Sequence, residues 1–201
     1  MTGQAEGAPV TLAVTGASGA PYAVRLLEVL NGLGVPVRLI ISKTGWRLLR
    51  EEEGIEDEAA LRARTGDWSR VLRYDDADRG ATPASGSAAS RGMVVCPCSR
   101  GTLASIAQGT SRSLIERAAD VALKERRPLI LVPRETPYSV LHLENMLRLS
   151  RAGAVVLPAS PGFYHRPRTI AELVDFIVAR ILTHLGIEAE IGPRWKSGER
   201  E

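Results

Sequence analysis

Apolar positions follow two different periods along this chain. Some short segments carry an apolar side chain at most positions, which is typical of strands buried on both faces of a parallel sheet. The stretches between them place apolar residues three and four apart, as in amphipathic helices. The predicted strands are residues 11–15, 35–42, 71–74, 93–96, 129–133 and 154–157.

Strands that alternate with helices predict an α/β fold with a doubly wound, Rossmann-like (flavodoxin-like) parallel sheet and right-handed crossovers. The predicted helices are residues 21–33, 45–52, 58–64, 101–107, 113–126, 140–150 and 169–185. The long loop at 75–92 is expected to be functional or disordered. Because no repeat or internal boundary is apparent, we expect a single domain. It covers residues 11–188, with a flexible N-terminus at 1–10 and a C-terminal tail at 189–201 that is mobile or binds a partner.

Composition narrows the range of functions. Of 201 residues, 44% are hydrophobic, which suits a well-filled core, and the net charge is only +3. The basic residues are scattered and aromatic residues make up 4%, so no nucleic-acid surface is indicated. No apolar stretch approaches the roughly 18 residues of a membrane span, and residues 1–9 do not read as a signal peptide. The two cysteines, Cys96 and Cys98, indicate buried, reduced thiols in a cytoplasmic protein, and we expect no metal site.

A turn of small residues, GASGA at 16–20, follows the first strand and opens the first helix. Such a turn either serves close packing of helix on strand or presents backbone amides to an anionic ligand. NAD-binding folds place an acidic residue at the end of the second strand to hold the ribose, but this chain has Ser42 and Lys43 there. The Gly-Lys pair of a phosphate-binding P-loop does not occur either. FMN, which lacks the adenosine diol, therefore fits better than NAD.

The strand at 129–133 ends in Pro133, and the next two residues are Arg134 and Glu135. Ligands of parallel α/β sheets bind just beyond the carboxyl ends of the strands. This pair is therefore expected at the ligand-binding edge, the alternative being a surface ion pair in a loop. Another strand end, PCSRGTL at 97–103, provides Ser99 and Thr102 as helix caps or as ligand contacts.

Several segments leave two interpretations open. PASGS at 83–87 is a flexible linker or part of a site. Arg117 and Lys124 share a helix face, either as a solvated stripe or as half of a phosphate clamp with Arg134. Tyr164 and His165 follow the last strand, and the histidine has no assigned role.

The last helix carries a further candidate, Arg180, whose neighbours along the chain are apolar. A cation in such surroundings requires an anionic partner.

Taken together, these segments resemble the flavin prenyltransferase family of the UbiX type. The resemblance runs from Thr11 to about Leu185 and is carried by TGASGA, ISK, PASGS, PCSRGTL, IERAADVALKERRPLILVPRETP, HLENM and PGFYHRP. It implies a metal-independent transferase that moves a dimethylallyl group from dimethylallyl phosphate to N5 and C6 of reduced FMN and releases phosphate. It also implies a homo-oligomer, a dodecamer with active sites completed at subunit interfaces, whose prenylated FMN passes to a UbiD-type decarboxylase.

The resemblance further implies roles for individual residues. Ser18 and Glu52 would lie near the reactive edge of the flavin, and Glu135 would carry a proton at the donor phosphate. The residues implied to contact FMN are Gly16, Ala17, Ser18, Ser42, Ser99, Arg100, Gly101, Thr102 and Arg134. Those implied to hold the donor phosphate are Lys124, Arg134, Tyr164 and Arg180, with Arg117 in support. The sequence departs from the family pattern at one point, because some relatives have a Trp where this chain has Arg79-Gly80. Which residues form the wall of the isoprenyl pocket is therefore an open question.

Two rival functions remain. A flavin-dependent cysteine decarboxylase would carry a Pro-Ala-Met-Asn-like segment where this chain has Pro133-Arg134-Glu135-Thr136. A non-catalytic FMN-binding module would leave Lys124, Arg134 and Arg180 without a purpose. Whether the donor is the monophosphate or the diphosphate stays open, as does the pathway, ubiquinone synthesis or breakdown of aromatic acids.

Overall fold

A six-stranded parallel sheet forms the middle layer of the protein, with strand order β3-β2-β1-β4-β5-β6. The computed structural model describes residues 7–192, so the predictions for residues 1–6 and 193–201 lie outside the described residues. The strands are β1 (Val10–Val14), β2 (Val37–Ile41), β3 (Val71–Asp75), β4 (Gly92–Cys98), β5 (Leu129–Pro133) and β6 (Val155–Val156). The predicted α/β fold with a doubly wound parallel sheet is confirmed.

Helices cover both faces of this sheet. They are α1 (Ala20–Gly32), α2 (Lys43–Glu53), α3 (Glu58–Thr65), α4 (Arg100–Gln108), α5 (Leu114–Lys124), α6 (Val140–Arg151) and α7 (Ile170–His184). Most of them begin at a side chain that accepts a hydrogen bond from an amide of the first turn, which satisfies a donor that the helix itself cannot. These capping residues are Ser42, Asp57, Ser99, Ser113, Ser139 and Thr169.

The strands bury alternate residues in two separate cores, as the period of two in a strand requires. Leu12 and Val14 pack in one core with side chains of α1, α3 and α7, whereas Ala13 packs in the other with α4, α5 and α6. The central strands are therefore covered by helices on both faces of the sheet. This explains the continuous apolar runs in the sequence.

Several boundaries differ from the predicted ones, and three of them have a physical interest. β4 continues to Cys98 rather than ending at residue 96, because Cys98 still pairs with Pro133 after a register shift. β6 has two residues rather than four, since it lies at the sheet edge and pairs only with β5. α5 ends at Lys124, two residues earlier than predicted.

The loop at 75–92 is tied to α5. The main-chain oxygen of Asp76 accepts from the amide of Leu114, and its carboxylate accepts from the amide of Ile115. The loop also contains a short 3-10 helix, Thr82–Ala84, with Pro83 buried. Over the part of the chain that the structure describes, no helix has the length and apolar character needed to cross a membrane.

The sheet has a switch point between β1 and β4. From β1 the chain proceeds to β2 and β3 on one side, and from β4 it proceeds to β5 and β6 on the other. This is the strand order of the Rossmann fold, in which the crevice outside the carboxyl ends of the two central strands binds the ligand. The functional site is therefore sought where β1 and β4 end.

Candidate active site

Thr15 joins the ends of β1 and β4. Its hydroxyl donates to the main-chain oxygen of Pro97 at 2.7 Å and accepts from the amide of Ser99 at 2.8 Å. Only 1% of this residue is exposed, so both bonds are shielded from water. Sequence reasoning did not identify Thr15 as part of the site, although a threonine that ends an apolar strand was a usable signal.

Arg134 reaches from the end of β5 across to the GASGA turn. Its Nε donates to the main-chain oxygen of Ser18 at 3.2 Å, although the two residues are 116 positions apart. Ser18 itself is exposed at this edge, and Arg134 is partly buried. The structure thus brings together two residues that the sequence analysis placed in one site.

Glu52 closes the N-terminus of α1. Its Oε2 accepts from the amides of Gly19 at 2.8 Å and Ala20 at 2.7 Å. A carboxylate is stabilised there by the partial positive charge of the helix terminus. The expectation that this turn offers its amides to an external anion is therefore wrong for these two amides, because the chain's own carboxylate holds them. Glu52 and Ser18 do lie at the same turn.

Close packing explains why position 16 is a glycine. A Cβ added to Gly16 would lie 2.5 Å from both Cβ and Oγ1 of Thr44, at the start of α2. Gly45, one residue further along α2, would meet the main-chain oxygen of Val14 at 2.5 Å. These close approaches support the packing interpretation for Gly16 and bring the N-terminus of α2 against the turn.

Two further hydroxyls stand at helix starts on the same edge. Ser42 Oγ accepts from the amide of Gly45 at 3.0 Å, and Ser99 Oγ accepts from the amide of Thr102 at 3.2 Å. The hydroxyl of Thr102 lies 3.0 Å from that of Ser99. At Gly101 an added Cβ would meet nothing within 4 Å, so the start of α4 is open to a ligand.

The neighbouring residues complete this edge. Arg100 is exposed on the first turn of α4, and Ala17 is a buried residue of the GASGA turn. Glu135 is partly buried, and its Oε1 accepts from the amide of Thr136 at 3.1 Å. Hydroxyl groups and two guanidinium groups around an open helix start are donors suited to the phosphate and the polar chain of FMN.

The two thiols beneath the site are inert. Cys96 and Cys98 are free and buried in β4. Burial raises the pKa of Cys98 to about 12, and burial together with the neighbouring Cys98 raises the pKa of Cys96 further. Since the thiolate is the nucleophilic form, neither residue serves as a nucleophile at neutral pH. Among residues 7–192 no group of three His, Cys, Asp or Glu could hold a metal ion.

Lys124 lies outside this edge. The amide of Leu114 at the start of α5 bonds to Asp76, just beyond the carboxyl end of β3, and the 11 residues of α5 then run towards the opposite edge. At 1.5 Å per residue, Lys124 is about 15 Å further along than Leu114. There its ammonium pairs with Glu125 at 2.9 Å. Arg117 is exposed on the same helix.

Tyr164 and Arg180 form a third group. Both line a cavity of about 510 Å³ between the second half of α7 and the segment 186–191 that follows it, with Tyr164 contributed by the loop after β6. Arg180 is exposed, so the expectation that it is surrounded by apolar residues is wrong: Ile177, Val178, Ile181 and Leu182 point to the core and Arg180 points away. One chain therefore does not bring Arg180, Lys124 and Arg134 together.

Comparison with known proteins places these features in a family. The family model described as Flavoprotein matches residues 2–182. The flavin prenyltransferase UbiX of Pseudomonas aeruginosa is 51% identical over 194 residues, which cover 92% of this chain and 93% of that protein. The chain belongs to the flavin prenyltransferase family. The resemblance inferred from the sequence motifs is confirmed.

Solved structures of the family share the fold closely. AnUbiX, crystallised in complex with FMN and dimethylallyl pyrophosphate, has a TM-score of 0.87 and 38% identity, over 96% of this chain and 99% of that one. A dodecameric FMN-dependent UbiX-like decarboxylase from Escherichia coli O157:H7 has a TM-score of 0.86 and 41% identity, over 94% and 99%. This likeness over nearly the whole length confirms the single-domain fold of a flavin prenyltransferase.

Proposed function

We propose that this protein transfers a dimethylallyl group from dimethylallyl phosphate to N5 and C6 of reduced FMN. The observation that carries the proposal is the convergence of Ser18, Glu52 and Arg134 at the β1–β4 switch point, through the bonds to the GASGA turn. In the reaction the carbon–oxygen bond of the donor breaks, phosphate leaves, and the isoprenyl unit closes a fourth ring on the flavin.

FMN would be held along the edge just described. In their capping bonds the oxygens of Ser42 and Ser99 act as acceptors, so their hydroxyl protons are not used there. The hydroxyls of Ser99 and Thr102 share one hydrogen bond, which leaves that pair one proton to donate to a ligand. Arg100 at the open start of α4 and Arg134 supply positive charge for a phosphate. When bound, reduced FMN supplies the nucleophilic atoms. The chain's own part is to orient it and to neutralise the leaving group.

The leaving phosphate needs both charge and a proton. Arg134 lies beside Glu135, so a cation and a carboxyl group stand together at the end of β5. In this proposal Arg134 bridges FMN and the donor phosphate, and Glu135 delivers the proton. Tyr164, Arg180, Lys124 and Arg117 complete the phosphate site.

Because Lys124 lies at the opposite edge of the sheet from Arg134 in one chain, the complete site requires more than one subunit. The exposed face of α6 supports assembly: Val140 and Leu141 are each 69% exposed, and Leu143 and Leu147 are about half exposed. An apolar helix face of this size is typical of an interface. We propose a homo-oligomer, a dodecamer as in the Escherichia coli relative. Ultracentrifugation should then give twelve times the mass of one chain, and a monomer would contradict the proposal.

The product has a defined next user in this proposal. Prenylated FMN is a modified cofactor that acts elsewhere, and we propose a UbiD-type decarboxylase in the cytoplasm as its recipient, in ubiquinone synthesis or a related pathway. Purified protein that has completed its reaction should activate a cofactor-free UbiD-type decarboxylase on mixing. Unreacted FMN in the same mixture is the control.

The deciding experiment uses purified protein, reduced FMN and dimethylallyl phosphate without oxygen and without magnesium. The expected result is a flavin heavier by one isoprenyl unit together with free phosphate. Running the diphosphate in parallel identifies the donor. A flavin of unchanged mass with both donors would contradict the proposal. FMN binding without catalysis would then be the remaining function. Carbon dioxide released from a peptide with a C-terminal cysteine would instead favour the decarboxylase alternative.

A further inference from the structure

Three aromatic rings form a cluster at the cavity that Arg180 lines, and two of them, Tyr164 and Phe176, line the cavity as well. His165 is stacked on Phe176 with the ring centroids 5.5 Å apart and an interplanar angle of 5°. Tyr164 meets both rings edge-on, at 5.5 Å from His165 and 5.9 Å from Phe176. These separations are those of attractive aromatic pairs.

Within residues 7–192, His165 makes no side-chain hydrogen bond that would account for its presence. Both ring nitrogens are buried, and neither has a hydrogen-bond partner within the described residues. A buried polar atom without a partner costs free energy, so it calls for an explanation. Because both nitrogens are shielded from solvent, they do not reach a ligand in the cavity. What His165 offers is a flat ring that fits between its neighbours.

The cluster fixes Tyr164 relative to Arg180. Phe176 and Arg180 are four residues apart on α7 and so lie on neighbouring turns of one face. The backbone of Gly162 packs closely against the cluster, since a Cβ at this position would lie 3.0 Å from Cε1 of Tyr164 and 3.2 Å from Cζ of Phe176. The side chain of Tyr164 is thus held against Phe176 and lines the same cavity as Arg180, although 58% of the residue is exposed.

We infer that His165 is a positioning residue: by stacking on Phe176 it orients Tyr164 for the phosphate of the prenyl donor. The inference rests on the proposed function, which puts Tyr164 and Arg180 at that phosphate. Removal of the imidazole ring should weaken the binding of the donor and should not change the binding of the flavin. His165→Ala should raise the KM for dimethylallyl phosphate by about 10- to 100-fold, as small misplacements of binding groups do.

The test separates orientation from general stability. We expect His165→Phe, which keeps the flat ring, to rescue most of the KM lost in His165→Ala and to melt no lower than the wild type. The matched control is His184→Ala, the same substitution at an exposed histidine of α7, which should leave the KM for donor unchanged. The affinity for reduced FMN should stay within about twofold throughout, because residues that do not contact one another act independently.

A double-mutant cycle decides whether His165 acts through Tyr164. If it does, Tyr164→Phe combined with His165→Ala should raise the KM no further than the larger single effect. Additive effects would overturn the inference, as would a His165→Phe enzyme as impaired as His165→Ala. If His165→Ala does not fold, Gly162→Ala tests the same cluster, and an unchanged KM for donor would contradict the inference. Absence of any prenylated flavin from the wild type would instead refute the proposed function.

Discussion

Nε of Arg134 donates a hydrogen bond to the main-chain oxygen of Ser18, and this contact connects the end of β5 with the turn after β1. In the sheet these strands are separated by β4, so the arginine spans the mouth of the switch point. Its charge is thereby held at the edge where FMN is proposed to bind. A charged side chain fixed by the fold needs little reorganisation during reaction, which is the arrangement that stabilises developing negative charge.

Replacement of Arg134 should therefore slow catalysis more than it harms folding. Arg134→Ala is expected to lower the rate of prenylated flavin formation by about 10²- to 10³-fold, the usual effect of losing one such donor. Mass spectrometry of the flavin product over time measures this. Arg47→Ala, at an exposed arginine paired with Glu51, is the matched control. A rate near that of the wild type would remove Arg134 from the site.

Substitution of Glu135 tests whether this residue delivers a proton to the leaving phosphate. Glu135→Gln keeps the size of the side chain but carries no acidic proton, so phosphate release should fall by about 10²-fold or more. Binding of FMN, measured by flavin fluorescence, should persist because Glu135 is not proposed to hold the flavin. Glu56→Gln, at an exposed glutamate, serves as the comparison. Normal phosphate release from Glu135→Gln would show that the proton comes from elsewhere.

Glu52 combines a structural and a proposed catalytic role, and two substitutions separate them. Glu52→Ala removes the acceptor of two amides at the start of α1 and should lower the free energy of unfolding by about 2 kcal/mol. Glu52→Gln retains an oxygen that accepts from these amides and should recover most of that stability. If the carboxylate also acts at the flavin, the Gln variant stays slow. A stable Gln variant with a normal rate would leave Glu52 as a cap only.

The buried thiols should not react in the folded protein. Since burial raises the pKa of Cys98 to about 12, its thiol is protonated at pH 7 and has no route to a reagent in solution. Thiol titration with an aromatic disulfide reagent should detect no reactive thiol in the native state and two after unfolding in guanidinium chloride. Rapid reaction of either cysteine at pH 7 would contradict the assigned burial.

Glu116 should make the free energy of unfolding depend on pH in the acidic range. Burial alone would raise the pKa of this carboxyl, but hydrogen bonds from the amide and guanidinium of Arg112 and from the hydroxyl of Thr110 outweigh burial and lower the pKa. A pKa lowered by folding adds stability above the unfolded value of about 4.3 and loses it as pH falls through the folded value.

The measurement is thermal unfolding of the wild type and Glu116→Gln between pH 7 and pH 3. The wild type should melt higher at pH 7, by an amount that corresponds to about 2 kcal/mol, and the gap should shrink at low pH. Glu144→Gln, at an exposed carboxylate of α6, is the comparison. A gap that stays constant with pH would mean that the charge of Glu116 contributes nothing.

The strands and helices were predictable because their determinants are local. An apolar run such as 129–133 can be satisfied only when both faces are covered, and Ser42, Ser99 and Thr169 mark helix starts through their own amide contacts. Strand ends were less predictable. β4 and β6 end where their neighbours stop pairing, and that depends on residues distant in the sequence.

By itself the sequence determined the parallel α/β sheet, the family, and the presence of Arg134 and Glu135 at a strand end. The tertiary structure alone decided that Arg134 bonds to Ser18, that Glu52 occupies the amides of Gly19 and Ala20, and that Lys124 lies at the opposite edge of the sheet. The physical reason is range. Apolar periodicity and capping act within a few residues, whereas contacts between loops exist only once the sheet has set the order of its strands.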